Sequence, residues 1–143
     1  MRVVILGCGR LGTKVAQKMA KESGNTVVVI DSDADAFSSL DKEFPGKVSQ
    51  GDGTDMAAYA SFMEEKPDVF LALTDSDNAN IMAAEIAKQK YKVDSVIARV
   101  HDPIRAKAFE ELGIETFCPT MLSEKKIAKM IDARKPKEEG GDE

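Results

Sequence analysis

Apolar runs of four to six residues recur along the chain, separated by amphipathic stretches of about ten to fifteen. That alternation predicts βαβ units around a parallel sheet. Val3-Val4-Ile5-Leu6, Val27-Val28-Val29-Ile30, Val69-Phe70-Leu71-Ala72-Leu73 and Val96-Ile97-Ala98 are continuous and mostly β-branched, as central strands covered on both faces must be. Lys47-Val48-Ser49 and Glu115-Thr116-Phe117 are shorter candidates, which brings the expected count to six. Leu11, Val15 and Met19, then Met82 and Ile86, then Ile104, Ala108 and Leu112 recur at helical spacing. They predict helix faces packed on the sheet. Gly24, Pro45-Gly46 and Gly113 supply stop signals after a first helix, a second helix and the helix that begins near Pro103. A last helix is expected over Leu122 to Ala133, with Ile127, Met130 and Ile131 on one side, packed either on the domain or on a partner chain. Arg134 to Glu143 is rich in Pro, Gly and charge and reads as a mobile tail or linker. The expectation is one α/β domain over residues 1–133, a doubly wound, mostly parallel six-stranded sheet with helices on both faces.

Composition narrows the function classes. Hydrophobic residues make up 43% and charged residues 31% of 143, an ordinary globular balance. No stretch approaches the roughly 18 apolar residues of a membrane span. The apolar start Met1 to Leu6 stops at Gly7, so export is not expected. Two distant cysteines, Cys8 and Cys118, form neither a disulfide framework nor a metal cluster, and they fit a reducing cytoplasm. A net charge of -5 gives no broad basic face for nucleic acid. An anionic ligand must therefore be held by local amides and a few arginines.

The strongest chemical signal is Gly7-x-Gly9-x-x-Gly12, directly after the first strand and at the start of the first helix. In that context Gly7 allows the tight turn, Gly9 lets a pyrophosphate approach the backbone, and Gly12 lets helix and strand lie close. Amides around Cys8, Arg10 and Leu11 then face the phosphates with the positive end of the helix dipole. This is the Rossmann-type fingerprint. Asp31 follows Gly12 by nineteen residues at the end of the second strand. There a carboxylate accepts hydrogen bonds from both ribose hydroxyls and repels a 2′-phosphate, which favours NAD(H) or a plain adenine nucleotide over NADP(H). Asp31 can instead cap the following helix, as can Ser32 and Asp33. Ser32 is counted among the binding residues as well.

Ligands of doubly wound sheets bind beyond the carboxyl ends of the strands, which draws in further candidates. Asp52 and Gly53, in Gly51-Asp52-Gly53-Thr54-Asp55, are placed to meet the adenine edge, while Asp55 reads equally as a helix cap. Thr74, Asp75 and Asn78 follow the fourth strand, where some of these polar residues must cap the next helix. Arg99 ends the fifth strand, where it can fork onto phosphate oxygens or make a surface ion pair. Arg10 reaches either a phosphate or solvent. His101, the only histidine, has no serine, cysteine or metal-ligand companions and reads as structural.

Val3 to Gly12, Val29-Ile30-Asp31, Gly51-Asp52-Gly53-Thr54, Ala72 to Asn80 and Ile97-Ala98-Arg99-Val100, taken in this order, resemble the N-terminal RCK domain, also called the TrkA-N domain. The resemblance runs from about Met1 to Pro119. It implies a cytoplasmic subunit or part of a potassium channel or transporter that regulates ion flow by binding NAD(H), ATP, ADP or AMP. It also implies a homodimer or higher ring, in which the last helix is exchanged or docked, at the inner face of the membrane beside an integral membrane subunit. By resemblance Gly7, Gly9, Arg10 and Gly12 lie near the phosphates, Asp31 at the ribose, Asp52 at the adenine, Thr74, Asp75 and Asn78 along the cleft, and Arg99 on the phosphates. Many members carry a glutamate shortly after the sixth strand. Here that stretch reads Cys118-Pro119-Thr120, so no metal site is implied. The smaller C-terminal lobe of complete regulators does not follow the last helix, so the chain reads as an excised domain or a stand-alone subunit.

Two other classes use the same fingerprint. A nicotinamide-dependent oxidoreductase needs a substrate domain and an acid/base pair, and the length and residues offer neither. An NAD-sensing transcription factor needs a basic recognition element, which the sequence lacks.

Overall fold

In the computed structural model, which describes residues 1–137, six strands form one sheet in the order β3-β2-β1-β4-β5-β6. They are β1 (Arg2–Leu6), β2 (Thr26–Asp31), β3 (Lys47–Gln50), β4 (Val69–Ala72), β5 (Ser95–Arg99) and β6 (Glu115–Phe117). All five pairings are parallel, so the sheet is parallel throughout. This is the strand order of the Rossmann fold, with its switch point between β1 and β4.

Successive strand residues point to opposite faces, and β1 shows the consequence. Val3 and Ile5 join a cluster with Val27, Val29, Leu71 and Leu73 under α1 (Arg10–Lys21), whose Leu11, Val15 and Met19 pack against it. Val4 and Leu6 join the larger cluster on the other face, with Ile30, Tyr59, Phe70 and Ile81. Both faces are dry, which is why the strands read as unbroken apolar runs.

Three helical expectations are corrected. The second helix, expected before Pro45-Gly46, is only a 3₁₀ turn over Ala34–Ser39, capped by the Asp33 carboxylate, which accepts from the Asp35 amide at 2.9 Å. Asp and Ser side chains in this stretch compete with helical hydrogen bonding. Phe37, Leu40 and Phe44 fill the space irregularly against the α1-side cluster. In α4 (Pro103–Glu110) the packed residues are Ala106 and Phe109, not Ile104, Ala108 and Leu112. Ile104 is 83% exposed and Leu112 lies beyond the helix end at 50%. The last helix, α5 (Pro119–Asp132), begins three residues earlier than expected, with Pro119 in its first turn. It buries no residue against the domain: Leu122, Ile127, Met130 and Ile131 are 47–56% exposed. Of the expected tail, residues 138–143 lie outside the described residues.

Two further helices complete the described elements. A four-residue helix α2 (Tyr59–Phe62) follows β3. α3 (Asp77–Glu85) follows β4 and continues into one π turn, Ile86–Lys90.

Candidate functional site: the cleft at the switch point

Register brings three strand ends to one level. Leu6 pairs with Ile30 and with Ala72, so Gly7, Asp31 and Leu73 emerge side by side. Hydrogen bonds continue the sheet into the loops: Gly7 N–H donates to Ile30 O at 2.7 Å, Leu73 N–H to Leu6 O at 2.8 Å, and Gly51 N–H to Asp31 O at 3.0 Å.

The glycines sort by what surrounds them. Gly7 has φ +109°, and a Cβ there would lie 2.8 Å from the Leu73 carbonyl. A Cβ on Gly12 would land on the Gly7 carbonyl oxygen. Gly9 is the contrast, since a Cβ there would meet nothing within 4 Å. Two glycines are thus demanded by the fold, while the third fronts open space.

Gly9 is also the N-cap of α1, with no side-chain cap and no acidic residue in the first turn. The first amide taken up by the helix is that of Thr13, which donates to Gly9 O at 3.0 Å. The amides of Arg10, Leu11 and Gly12 precede it, as orphan donors at the positive end of the helix.

Beside the turn stands Asp31, half-buried. Its Oδ2 accepts from the Cys8 amide at 2.8 Å and its Oδ1 from the Asp33 amide at 2.9 Å. The carboxylate thus ties the glycine turn to the end of β2, and each oxygen keeps acceptor capacity. It does not cap the following turn, which is the work of Asp33.

These parts enclose a cleft of about 310 Å³, lined on one side by Gly7, Cys8, Gly9, Asp31, Ser32 and Asp33 and on the other by Leu73, Thr74 and Asp75. Leu6, Ala36 and Gly51 complete it. The volume is at the lower end of the range for small-molecule sites. A larger hollow of about 600 Å³ lies between α4 and α5, where apolar surface predominates.

Of the residues expected at the ligand, the structure brings Gly7, Gly9, Asp31, Ser32, Thr74 and Asp75 to the cleft. Arg10 is exposed beside it, while Leu11 and Gly12 support α1 from within. Asp52 is exposed, and its Oδ1 accepts from the amide and hydroxyl of Thr54 at 2.8 and 2.7 Å, which hold the carboxyl below its ordinary range. Gly53 is buried against Leu6, and its carbonyl accepts from the Tyr59 hydroxyl at 2.7 Å. Asn78 is exposed on α3, its Oδ1 accepting from Arg105 at 2.6 Å. Arg99 does not line the cleft. Its Nη2 donates to the carbonyls of Leu73 and Thr74 at 2.8 and 2.7 Å and stands 3.3 Å from Asp75 Oδ1, and its Nε donates to Thr74 O at 3.2 Å.

Capping residues are now assigned. Ser76 caps α3 by accepting from Ala79, and Asp55 caps the turn before α2 by accepting from Ala57. His101 pairs its Nδ1 with Asp77 Oδ1 at 2.9 Å, and the Asp77 carboxylate also accepts the amides of His101 and Asp102. Burial raises the Asp77 pKa, but these hydrogen bonds outweigh it and hold the carboxyl below its usual range. Sequence reasoning missed two residues, Asn80 and Tyr59. Asn80 is fully buried and binds both Thr74 and Arg99. Its signal was a polar residue next to Ile81 on the packed side of α3. Tyr59, fully buried, had no comparable signal.

A family model, the TrkA-N domain, matches residues 3–119, which takes in five strands whole, β1 from its second residue, and the whole cleft. The chain belongs to the TrkA-N domain family. One relative is the Trk system potassium uptake protein TrkA of Streptomyces coelicolor, 40% identical over 116 residues, 81% of this chain. The chain spans about half of that relative, 52%. Two solved structures share the fold. The TrkA-N domain of inner membrane protein ybaL from Escherichia coli has TM-score 0.73 at 18% identity, covering 94% of this chain and 96% of that one. The Kef CTD of Shewanella denitrificans in AMP-bound form has TM-score 0.71 at 19% identity, covering 94% and 83%. Among the described residues, no helix is long and apolar enough to cross a membrane.

Proposed function

We propose that this TrkA-N domain is the nucleotide-sensing part of a potassium uptake or channel system, acting on ion flow through conformation and not through catalysis. The observation that carries the nucleotide reading is the uncovered head of α1: Gly9 faces open space beside unpaired helix amides, with the Asp31 carboxylate at the neighbouring strand end on the same side of the cleft. Donors suit a phosphate group, and the acceptor suits ribose hydroxyls. The ligand is NAD(H) or an adenine nucleotide, AMP, ADP or ATP. One relative bears the name of a potassium uptake protein and one solved neighbour holds AMP, which supports both halves of the reading.

In this reading Gly7, Gly9 and the amides of Arg10, Leu11 and Gly12 take the phosphates and Asp31 with Ser32 takes the ribose. Asp52 and Gly53 shape the adenine end, and Thr74, Asp75 and Asn78 form the far side. Arg99 reaches a phosphate only by leaving its present carbonyl partners. The domain works in the cytoplasm as a homodimer or higher ring attached to a membrane partner. Support for self-association comes from Ile104, Met121 and Leu122 around the α4–α5 groove, 39–83% exposed. Fully burying such a side chain stabilises by about 1.5–3 kcal/mol.

Regulation requires the ligand to bind two conformations with different affinity. The test is calorimetric titration of the full chain with NADH, AMP, ADP and ATP, alongside a hydride-transfer assay over a substrate panel. Saturable binding without turnover is the expected result. Turnover, or no binding of any of the four, overturns the proposal.

A further inference from the structure

Asn80, in the first turn of α3, has no solvent exposure. Its side-chain amide makes four hydrogen bonds. Nδ2 donates to Thr74 O and to Arg99 O, both at 2.9 Å. Oδ1 accepts from the Thr74 amide at 2.8 Å and the Thr74 hydroxyl at 2.6 Å. Two donors and two acceptor sites are all that an asparagine amide has. The group is saturated, and every partner belongs to the end of β4 or the end of β5.

Those two strand ends flank the cleft wall. Thr74 O, held from one side by Asn80, accepts from the Arg99 guanidinium on the other. The Thr74 hydroxyl has only Asn80 Oδ1 and Ser76 O, at 3.2 Å, as neighbouring acceptors. Its hydrogen therefore turns inward, and its oxygen accepts from the Ser76 amide at 3.2 Å.

We infer that Asn80 is a positioning residue of the cleft, whose buried amide fixes the Leu73–Asp75 wall and keeps Arg99 folded against it. The inference rests on the nucleotide reading above. Aspartate at this position brings no donor for two carbonyls, and alanine brings no partner at all. Either leaves buried polar groups unmatched and frees the wall to move.

The test uses the full chain as Asn80→Ala, the milder Asn80→Ser and, as a control of stability alone, Val96→Ala, which removes a buried side chain of the core away from the cleft. Two readouts are taken at a temperature where each variant is folded: affinity for NADH, AMP, ADP and ATP by calorimetry, and hydrogen exchange of the Thr74 amide. Both Asn80 variants are expected to lose affinity by about tenfold or more and to exchange faster at Thr74. Val96→Ala is expected to change neither, although its melting point falls. If Asn80→Ala does not fold, Asn80→Ser carries the comparison. A folded Asn80→Ser that binds as the parent chain does overturns the inference. If the parent chain binds none of NADH, AMP, ADP and ATP, the nucleotide reading fails by itself. Thr74 exchange then decides the positioning claim: faster exchange in Asn80→Ser supports it and unchanged exchange overturns it.

Discussion

The cleft at the switch point and the groove between α4 and α5 present opposite chemistries within one small domain. The cleft is walled by backbone amides, carboxylates and a threonine hydroxyl, and most of its polar groups are already held by neighbours. The groove presents mainly apolar surface, with Ile104, Met121 and Leu122 left exposed among the described residues. A polar cleft of about 310 Å³ suits one small charged molecule. An open apolar surface suits another protein surface. On the proposed function, sensing and transmission occupy separate places, joined through β5, whose Arg99 end touches the cleft wall and whose other neighbour, β6, leads into α5.

The largest effect that sharpens this contrast is expected from Gly9→Val. Binding of ADP or NADH should vanish from calorimetry while the melting temperature stays within a few degrees, because the new side chain enters free space. Gly12→Val is the counterpart, expected to unfold the domain by circular dichroism, since its Cβ lands on the Gly7 carbonyl. Next comes Asp31→Ala, which removes a ribose acceptor and also strands the Cys8 amide. A loss of about 1–3 kcal/mol in nucleotide binding is expected, and equal affinity in titration would reject the ribose role. Leu122→Lys should weaken self-association by about tenfold in sedimentation equilibrium, the scale of burying or charging one interface side chain. It should leave ADP affinity alone, and a parallel loss of both would break the separation drawn above.

The smallest effects are those of pH. Asp77 is held below its usual pKa in the folded protein. Its contribution to stability is therefore present above the unfolded value of about 3.8 and lost as pH falls through the lower folded value. Tyr59 runs the other way. Burial raises its phenol above the ordinary 10.0, so stability is full below pH 10 and declines as pH rises beyond it. Tyr59→Phe should abolish that alkaline decline in thermal melts, and a decline of the same slope in the variant would assign it elsewhere.

The strands, the switch point and the glycine turn were legible because they rest on local rules: unbroken β-branched runs, and a spacing that only one backbone path satisfies. The outward face of α4 was not. With eight residues in which Arg105, Lys107 and Glu110 alternate with apolar side chains, Pro103 to Glu110 carries no periodicity strong enough to set its rotation. The 31–46 segment misled for a related reason, as its Asp and Ser side chains satisfied the backbone locally before a helix could. Arg99 was located correctly on its strand but not in its partners, which lie 25 and 26 residues away in sequence. Asn80 binds carbonyls six and 19 residues away and Tyr59 one six residues away, spacings that no helix or strand rule covers.

The double duty of Asp31 constrains any attempt to retune the site. In dinucleotide-binding folds an acidic residue at this strand terminus accepts from the ribose hydroxyls, and a basic one nearby accommodates an extra phosphate on the sugar, so exchanging it is the direct way to change that preference. Here the same exchange cuts the tether to the Cys8 amide, so the loop proposed to hold the phosphates loosens just as the proposed sugar contact is changed. A workable redesign has to bring a substitute acceptor for that amide along with the new side chain.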